Sequence, residues 1–380
     1  MKSIEKTASS KMRSHRDPLI LYTQKKTPKI MFPIVGIGAS AGGLEAVTKL
    51  LQALPAAGGM AFVLIQHLDP LHESILAALL SKVTRMKIYE AKEGMPVEIN
   101  CGYVISPTMD LTLVDGVLAL RPRPKEGGGP HLPIDLFFRS LAESQADRAV
   151  GVILSGTGSD GALGLEAIHS QGGMTFVQNP ESAKFDAMPR SAIATGCADL
   201  VLDAEGIAKE LARIAQDPYV KNAPPDDPEE GVISKAENLG KILTVLQGHK
   251  GVDFRCYKRG TIQRRLQRRM LLKKVDTVED YLARLTEDPA EIEELHNDLL
   301  IQVTRFFRDP DTYAVLKETI FPQLFRHKLP EEPFRLWVAG CSSGEEVYSM
   351  AISLLEFCME KNGKVPIQIF GTDISDKAIE

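Results

Sequence analysis

The stretch Ile34-Val35-Gly36-Ile37-Gly38-Ala39-Ser40-Ala41-Gly42-Gly43 runs directly into Leu44-Glu45-Ala46-Val47-Thr48-Lys49-Leu50-Leu51, and its reading decides the fold. An apolar, β-branched run ends in glycines around one serine. Leu44, Val47, Leu51 and Leu54 then recur at helical spacing on one face. The pattern is strand, tight turn, helix. Two chemistries share it. Gly38-Ala39-Ser40-Ala41-Gly42 matches G-x-S-x-G, a turn that lifts a serine hydroxyl to the top of a sheet beside a helix N-terminus. Gly36-x-Gly38-x-x-x-Gly42 is a near miss to the dinucleotide fingerprint G-x-G-x-x-G. Ser40 is therefore either a nucleophile or part of a phosphate cradle.

Outward from this turn, strand and helix patterns alternate as far as Gln216, which predicts a doubly wound, mostly parallel α/β sheet. Strands are expected at 60–65, 103–106, 149–154, 174–177 and 199–202, a hairpin around Asp115-Gly116, and helices at 73–83, 134–146, 162–170 and 204–216. Residues 1–31 are basic and aperiodic and read as a disordered tail, leaving 32–216 as the first folded domain. The stretch 217–231, rich in prolines and acidic residues, reads as a linker. A small all-α domain is expected over 232–330. From 331 to 380 a second α/β pattern begins, and its two strands do not close a doubly wound domain, so it is expected to be an incomplete, Rossmann-like beginning.

Composition excludes several classes. The formal net charge of −5 hides a basic N-terminus, a basic run at 258–274 and an acidic linker, none of which marks a nucleic-acid binder by itself. No apolar run has the length of a membrane span, and the apolar Leu19–Tyr22 is too short for a secretory signal. The five cysteines are scattered without a C-x-x-C pair, which argues for reduced thiols and against a zinc site; no metal is expected, and a cytoplasmic protein is.

Reactive groups in an open α/β sheet gather at the carboxyl ends of strands. Ser40, His67 and Asp160 occupy such ends and offer a hydroxyl, an imidazole and a carboxylate. A serine hydroxyl attacks well only when an imidazole takes its proton, and a carboxylate fixes the imidazole tautomer. Backbone N–H groups of Ala41 and Thr157, at the glycine turns, are the candidate oxyanion donors. Plainer readings stand beside these: Asp160 as a helix cap, and His67 as a strand-end residue with His72 as a competitor. The dinucleotide reading lacks a good acidic residue at the end of the second strand, where His67 comes first and Asp69 follows.

Four motifs then bring a resemblance. Val35–Gly43, Gln66-His67-Leu68-Asp69-Pro70, Ser155-Gly156-Thr157-Gly158-Ser159-Asp160-Gly161-Ala162 and Ala187-Met188-Pro189-Arg190-Ser191-Ala192-Ile193 resemble, in order and spacing, the chemotaxis protein-glutamate methylesterases of the CheB type over about residues 33–212. The resemblance implies Ser40 as nucleophile, His67 as general base and Asp160 as its orienting carboxylate. It also implies a cofactor-free hydrolysis of methylated glutamate on a chemoreceptor or similar signalling protein, with glutamine deamidation as a second reaction. Thr157 stands where that family often has methionine. The family's usual receiver domain has no counterpart ahead of Ile34, so control by receiver phosphorylation in cis is not expected.

The second half resembles the CheR-type chemoreceptor glutamate methyltransferases from about residue 238. It does so through Val303-Thr304-Arg305-Phe306-Phe307-Arg308, the Leu336–Ile352 strand-turn-helix around Gly340-Cys341-Ser342-Ser343-Gly344, and Gly371-Thr372-Asp373. This implies S-adenosylmethionine contacts from Thr304, Arg308, Glu346 and Asp373, with Gln302 in place of the family's Asn. Binding in this chain is expected to be weak, since the family's remaining loops lie past Glu380. The basic stretch Arg259–Lys274 would correspond to a receptor-docking helix; its composition alone fits an acidic protein partner, a nucleic-acid groove or a solvated face. The fusion thus reads as an eraser of glutamyl esters joined to part of the writer, with a catalytically silent sensory scaffold and a nucleotide-binding module as rivals.

Overall fold

The computed structural model describes residues 31–68, 74–123, 131–217, 236–300, 304–326, 332–361 and 365–379. The expected basic tail, most of the linker, segment 124–130 and Gln302 lie outside them.

Among the described residues the first domain is built on ten strands and six α-helices. In order they are β1 (Ile34–Ala39), α1 (Gly43–Ala53), β2 (Ala61–Gln66), α2 (Leu76–Leu80), β3 (Lys87–Glu90), β4 (Met95–Pro96), β5 (Cys101–Val104), β6 (Met109–Val114), β7 (Val117–Pro122), α3 (Pro133–Gln145), β8 (Ala149–Ile153), α4 (Ala162–Ser170), β9 (Met174–Gln178), α5 (Ala187–Ala194), β10 (Leu200–Leu202) and α6 (Ala204–Gln216). Seven strands form one sheet in the order β10-β9-β8-β1-β2-β5-β3, every adjacent pair parallel. β1 is buried along its whole length, which is why it reads as a continuous apolar run rather than an alternating one.

The two faces of the sheet explain the glycines of the opening stretch. Val35, Ile37 and Ala39 point to one face and pack with Val47 and Leu50 of α1 and Ile207 and Leu211 of α6. Gly36 and Gly38 point to the other, where α3 lies. A Cβ on Gly36 would come within 2.9 Å of the Phe138 ring, and one on Gly38 within 2.5 Å of Ile134 Cγ2. Both glycines are therefore demanded by the close approach of a helix, which removes the main support for a phosphate-binding fingerprint.

The hairpin β6–β7 forms as expected, antiparallel, with Asp115 and Gly116 at φ 48° and 79°, the left-handed pair a two-residue primed turn requires. β3 and α5 leave no readable pattern in the sequence. β3 is an edge strand of Lys87-Ile88-Tyr89-Glu90 with no fully buried residue, so it carries little apolar signal. α5 spans eight residues with a proline at its third position, and that proline masks the pattern.

Helices Ala236–Lys250, Arg259–Lys273, Val278–Glu287 and Pro289–Leu299 share a core of Leu246, Leu266, Tyr281 and Leu295. Beyond them β11 (Phe334–Ala339) and β12 (Ile367–Thr372) pair in parallel around helix Glu345–Glu360. No helix among the described residues is long and apolar enough to cross a membrane.

The helix Arg259–Lys273 presents less of its charge to solvent than its composition suggests. As an exposed docking surface it would present its arginines, yet Arg265, Arg268 and Arg269 are all buried. Arg268 donates through Nη2 to Asp199 of the first domain and through Nη1 to Asp298 of helix Pro289–Leu299, both at 2.5 Å, and through Nε to the Gly173 carbonyl at 3.1 Å. Arg265 donates to the His169 and Ser170 carbonyls at the carboxyl end of α4, where a cation meets the negative pole of the helix. Arg269 forks onto the fully buried Glu291. Burial pushes the neighbouring His169 imidazole down to about 4, with the Arg268 charge adding to it. The basic rows thus find their carboxylates and carbonyls inside the same chain, and Arg259, Arg264 and Lys274 keep an exposed face.

This joint makes a stability prediction. Arg268→Ala takes the closest cation from two carboxylates that are 4% and 2% exposed, leaving Asp199 the Thr175 N–H and hydroxyl and Asp298 the more distant Arg269, a change worth about 3–5 kcal/mol. Urea denaturation should show the midpoint falling steeply. Combining Arg268→Met with Asp199→Asn and Asp298→Asn should recover most of the loss, because no buried charge is then left alone.

Candidate active site

β1 lies between β2 and β8, with Gly38 level with Ile65 on one side and Ile153 on the other. The chain leaves β1 to build β2 on one side and returns much later to build β8 on the other, so the carboxyl ends of these strands form the switch-point crevice of the sheet. Ser40, His67 and Asp160 meet there. Ser40 follows β1, His67 follows β2, and Asp160 sits in the loop between β8 and α4.

Ser40 Oγ lies 3.1 Å from His67 Nδ1, and His67 Nε2 lies 2.7 Å from Asp160 Oδ2. A carboxylate accepts only, so Nε2 carries the proton and Nδ1 is left with its lone pair towards the serine hydroxyl. The His67 side chain is 31% exposed and that of Asp160 2%. Asp160 also accepts the Ile134 N–H at Oδ2, 3.0 Å, and the Asp135 N–H at Oδ1, 2.9 Å. Its carboxylate therefore caps the first turn of α3 and gains from the helix dipole while it holds the imidazole.

Several supporting residues have roles that the sequence does not spell out, and of these Asp135 stands in no recognisable motif. Asp135 accepts the Gly164 N–H at 2.6 Å and so ties the start of α3 to the start of α4. Burial, and then the Asp160 charge, push its carboxyl above the ordinary range, against the Gly164 N–H, which favours the ionised form. Ser155 organises the nucleophile turn. Its carbonyl accepts the Ser40 N–H at 3.0 Å, its hydroxyl donates to the Ala41 carbonyl at 2.9 Å and accepts the Phe185 N–H at 3.0 Å, and its own N–H is held by Gln178 Oε1 at 2.9 Å. Gly42 adopts φ 72°, a left-handed conformation that starts α1 immediately behind Ser40. Gly156 is small for a different reason: a Cβ there would lie 2.0 Å from Met188 Sδ and 3.0 Å from Ser40 Cβ.

Neither the Ala41 N–H nor the Thr157 N–H has a hydrogen-bond partner among the described residues. Ser40 and His67 line an open cleft of about 540 Å³ with Ala41, Gly42, Leu44, Glu45, Gln66 and Lys184. A hydroxyl, an imidazole with its lone pair directed at that hydroxyl, and a carboxylate behind the imidazole can together carry out acyl transfer.

The second glycine turn is also formed. Gly340 and Gly344 have φ 72° and 95°, and Asp373, just after β12, accepts the Ser342 N–H at Oδ2 and the Ser375 N–H at Oδ1, both 2.8 Å. Its carboxylate thus already braces the turn. Glu346 is exposed on the first turn of the following helix, and Ser342 Oγ is buried without a partner among the described residues. Thr304 is half-buried and Arg308 exposed.

Residues 35–211 match the family described as CheB methylesterase. Residues 237–300 match the all-alpha domain of CheR methyltransferase, and residues 302–380 its SAM binding domain. An uncharacterized 104.1 kDa protein of Rhodobacter capsulatus is 38% identical over 324 residues, 80% of this chain and 34% of that protein. A protein-glutamate methylesterase/protein-glutamine glutaminase of Burkholderia orbicola (strain AU 1054) is 39% identical over 186 residues, 48% of this chain and 54% of the relative. A putative enzyme of the same description from Leptospira interrogans is 34% identical over 185 residues, 49% of this chain and 96% of the relative. The chain spans a third to about half the length of the first two.

Proposed function

Because the chain belongs to the CheB methylesterase family through residues 35–211 and continues into CheR methyltransferase segments, we propose that it hydrolyses glutamate γ-methyl esters on a chemoreceptor or a similar signalling protein, in the cytoplasm. The observation that carries this reading is the unbroken hydrogen-bond chain Ser40–His67–Asp160 opening into the cleft. His67 Nδ1 takes the hydroxyl proton as Ser40 Oγ attacks the ester carbonyl carbon. The negative oxygen that forms is received by the free N–H groups of Ala41 and Thr157. The imidazolium, steadied by Asp160, gives its proton to the departing methoxide, and methanol leaves. Water activated by His67 then cleaves the acyl-Ser40 ester, releasing the glutamate carboxylate and restoring the hydroxyl. With glutamine as substrate, ammonia leaves instead.

Erasing the ester restores a negative charge on the partner, which is a physical basis for signalling adaptation. A silent scaffold would have no use for the aligned triad. In the last segment Thr304, Arg308, Glu346 and Asp373 would hold S-adenosylmethionine, which supplies an electrophilic methyl group when bound. The glycine turn and the orphaned Ser342 hydroxyl fit such a ligand, although Asp373 meets it with two lone pairs already engaged.

The test is release of labelled methanol from methylated receptor membranes and from a short glutamyl γ-methyl ester peptide. Turnover of both is expected. A rate at the buffer background on both substrates rules the reading out.

A further inference from the structure

The cleft carries charges of both signs. Three charged or chargeable side chains line it: His67, Glu45 and Lys184. Glu45 is committed to Lys49, one turn along α1, at 2.8 Å. In the segment that carries Lys184, Asp186 is committed to Arg190 at 2.6 Å. Lys184 is exposed, and its ammonium makes no hydrogen bond or close ion pair among the described residues; its charge is felt by Glu45 across the cleft, adding to the larger effect of Lys49 in holding that carboxyl below its ordinary range.

The backbone around Lys184 is tied to the nucleophile turn. The Phe185 N–H is held by Ser155 Oγ at 3.0 Å, and the Phe185 carbonyl accepts the Gly156 N–H at 3.0 Å. Lys184 Cβ lies 2.9 Å from where a Cβ on Gly42 would stand, so only a glycine two residues after Ser40 lets the lysine stem approach this closely. The stem is thus anchored against the turn that carries Ser40, and a flexible four-carbon chain carries an ammonium with no hydrogen-bonded partner among the described residues over the same cleft.

We propose that Lys184 is a specificity-determining residue that receives a carboxylate borne by the substrate beside the scissile ester, so that the preferred substrate is a glutamyl γ-methyl ester set within an acidic segment. This inference rests on the esterase reading above. It goes further in naming the charge of the sequence around the ester. The attraction acts through solvent at the rim of the cleft, so it is modest and screened by salt.

The test uses the full chain and two peptides, each with one glutamyl γ-methyl ester, flanked by Glu in one and by Gln in the other. The readout is the ratio of their kcat/KM values for methanol release. The wild type should favour the acidic peptide about three- to fivefold at low salt, and the preference should shrink at high salt. Lys184→Gln should bring the ratio to about one, and Lys184→Glu should invert it. The same ratio in wild type and Lys184→Gln, or an equal loss on both peptides, overturns the proposal while leaving the esterase in place. Hydrolysis of neither peptide nor of a small neutral methyl ester by the wild type defeats the esterase reading, and this inference with it.

Discussion

Ser40→Ala is expected to lower methanol release by about five to six orders of magnitude. The size of the effect follows from what the hydroxyl does. It is the atom that bonds to the acyl group, so without it only binding and the Ala41 and Thr157 N–H groups remain to assist direct attack by water. The variant should fold as the wild type does. The backbone bonds that shape the turn, Ser40 N–H to the Ser155 carbonyl and Gly43 N–H to the Ser40 carbonyl, do not involve the side chain. Among the described residues the hydroxyl's one hydrogen bond is to His67. A normal thermal unfolding curve with no turnover is the expected pair of results. Comparable rates in wild type and Ser40→Ala would mean that another group carries the ester chemistry.

Asp160→Asn should reduce kcat by about three to four orders of magnitude. Asp160 faces three donors: His67 Nε2–H and the N–H groups of Ile134 and Asp135. An asparagine has only one acceptor oxygen for them. With that oxygen towards His67, its NH₂ group opposes the Asp135 N–H at the first turn of α3. In the flipped orientation the NH₂ group faces Nε2, forces the proton onto Nδ1, and blocks the lone pair that must accept the serine proton. In both arrangements the imidazolium formed during attack loses its negative partner. Rapid-quench and steady-state methanol assays should place the loss in kcat, with KM changed far less, because Asp160 is buried behind His67 and does not line the cleft. A variant within tenfold of wild type would show that the carboxylate is dispensable.

Much of this site was legible in the chain itself, for a physical reason: a buried parallel sheet writes its strands as apolar runs, and its reactive residues follow those runs immediately. The ends of β1 and β2 pointed to Ser40 and His67, and the glycine loop after β8 to Asp160. The hairpin at Asp115-Gly116 was equally open, since a left-handed pair of residues calls for that dipeptide. Short or edge elements left weaker traces, as β3 and α5 show.

The amino-acid sequence by itself determined the strand-turn-helix at Ile34–Leu51, the α/β class, the three residues at the strand ends, and the family likeness of both halves. The tertiary structure decided what depends on distant partners. It showed that Gly36 and Gly38 serve the approach of α3, because Phe138 and Ile134, a hundred residues away, fill the space in front of them. It turned His67 so that Nδ1 meets the serine, because Asp160 is fixed by the start of α3 on the far side of the ring. It also took the arginines of helix Arg259–Lys273 out of solvent. A basic stripe looks the same on a free helix as on a packed one until Asp199, Asp298 and the end of α4 are seen against it, since a charge pattern along a chain carries no record of the carboxylates that will face it.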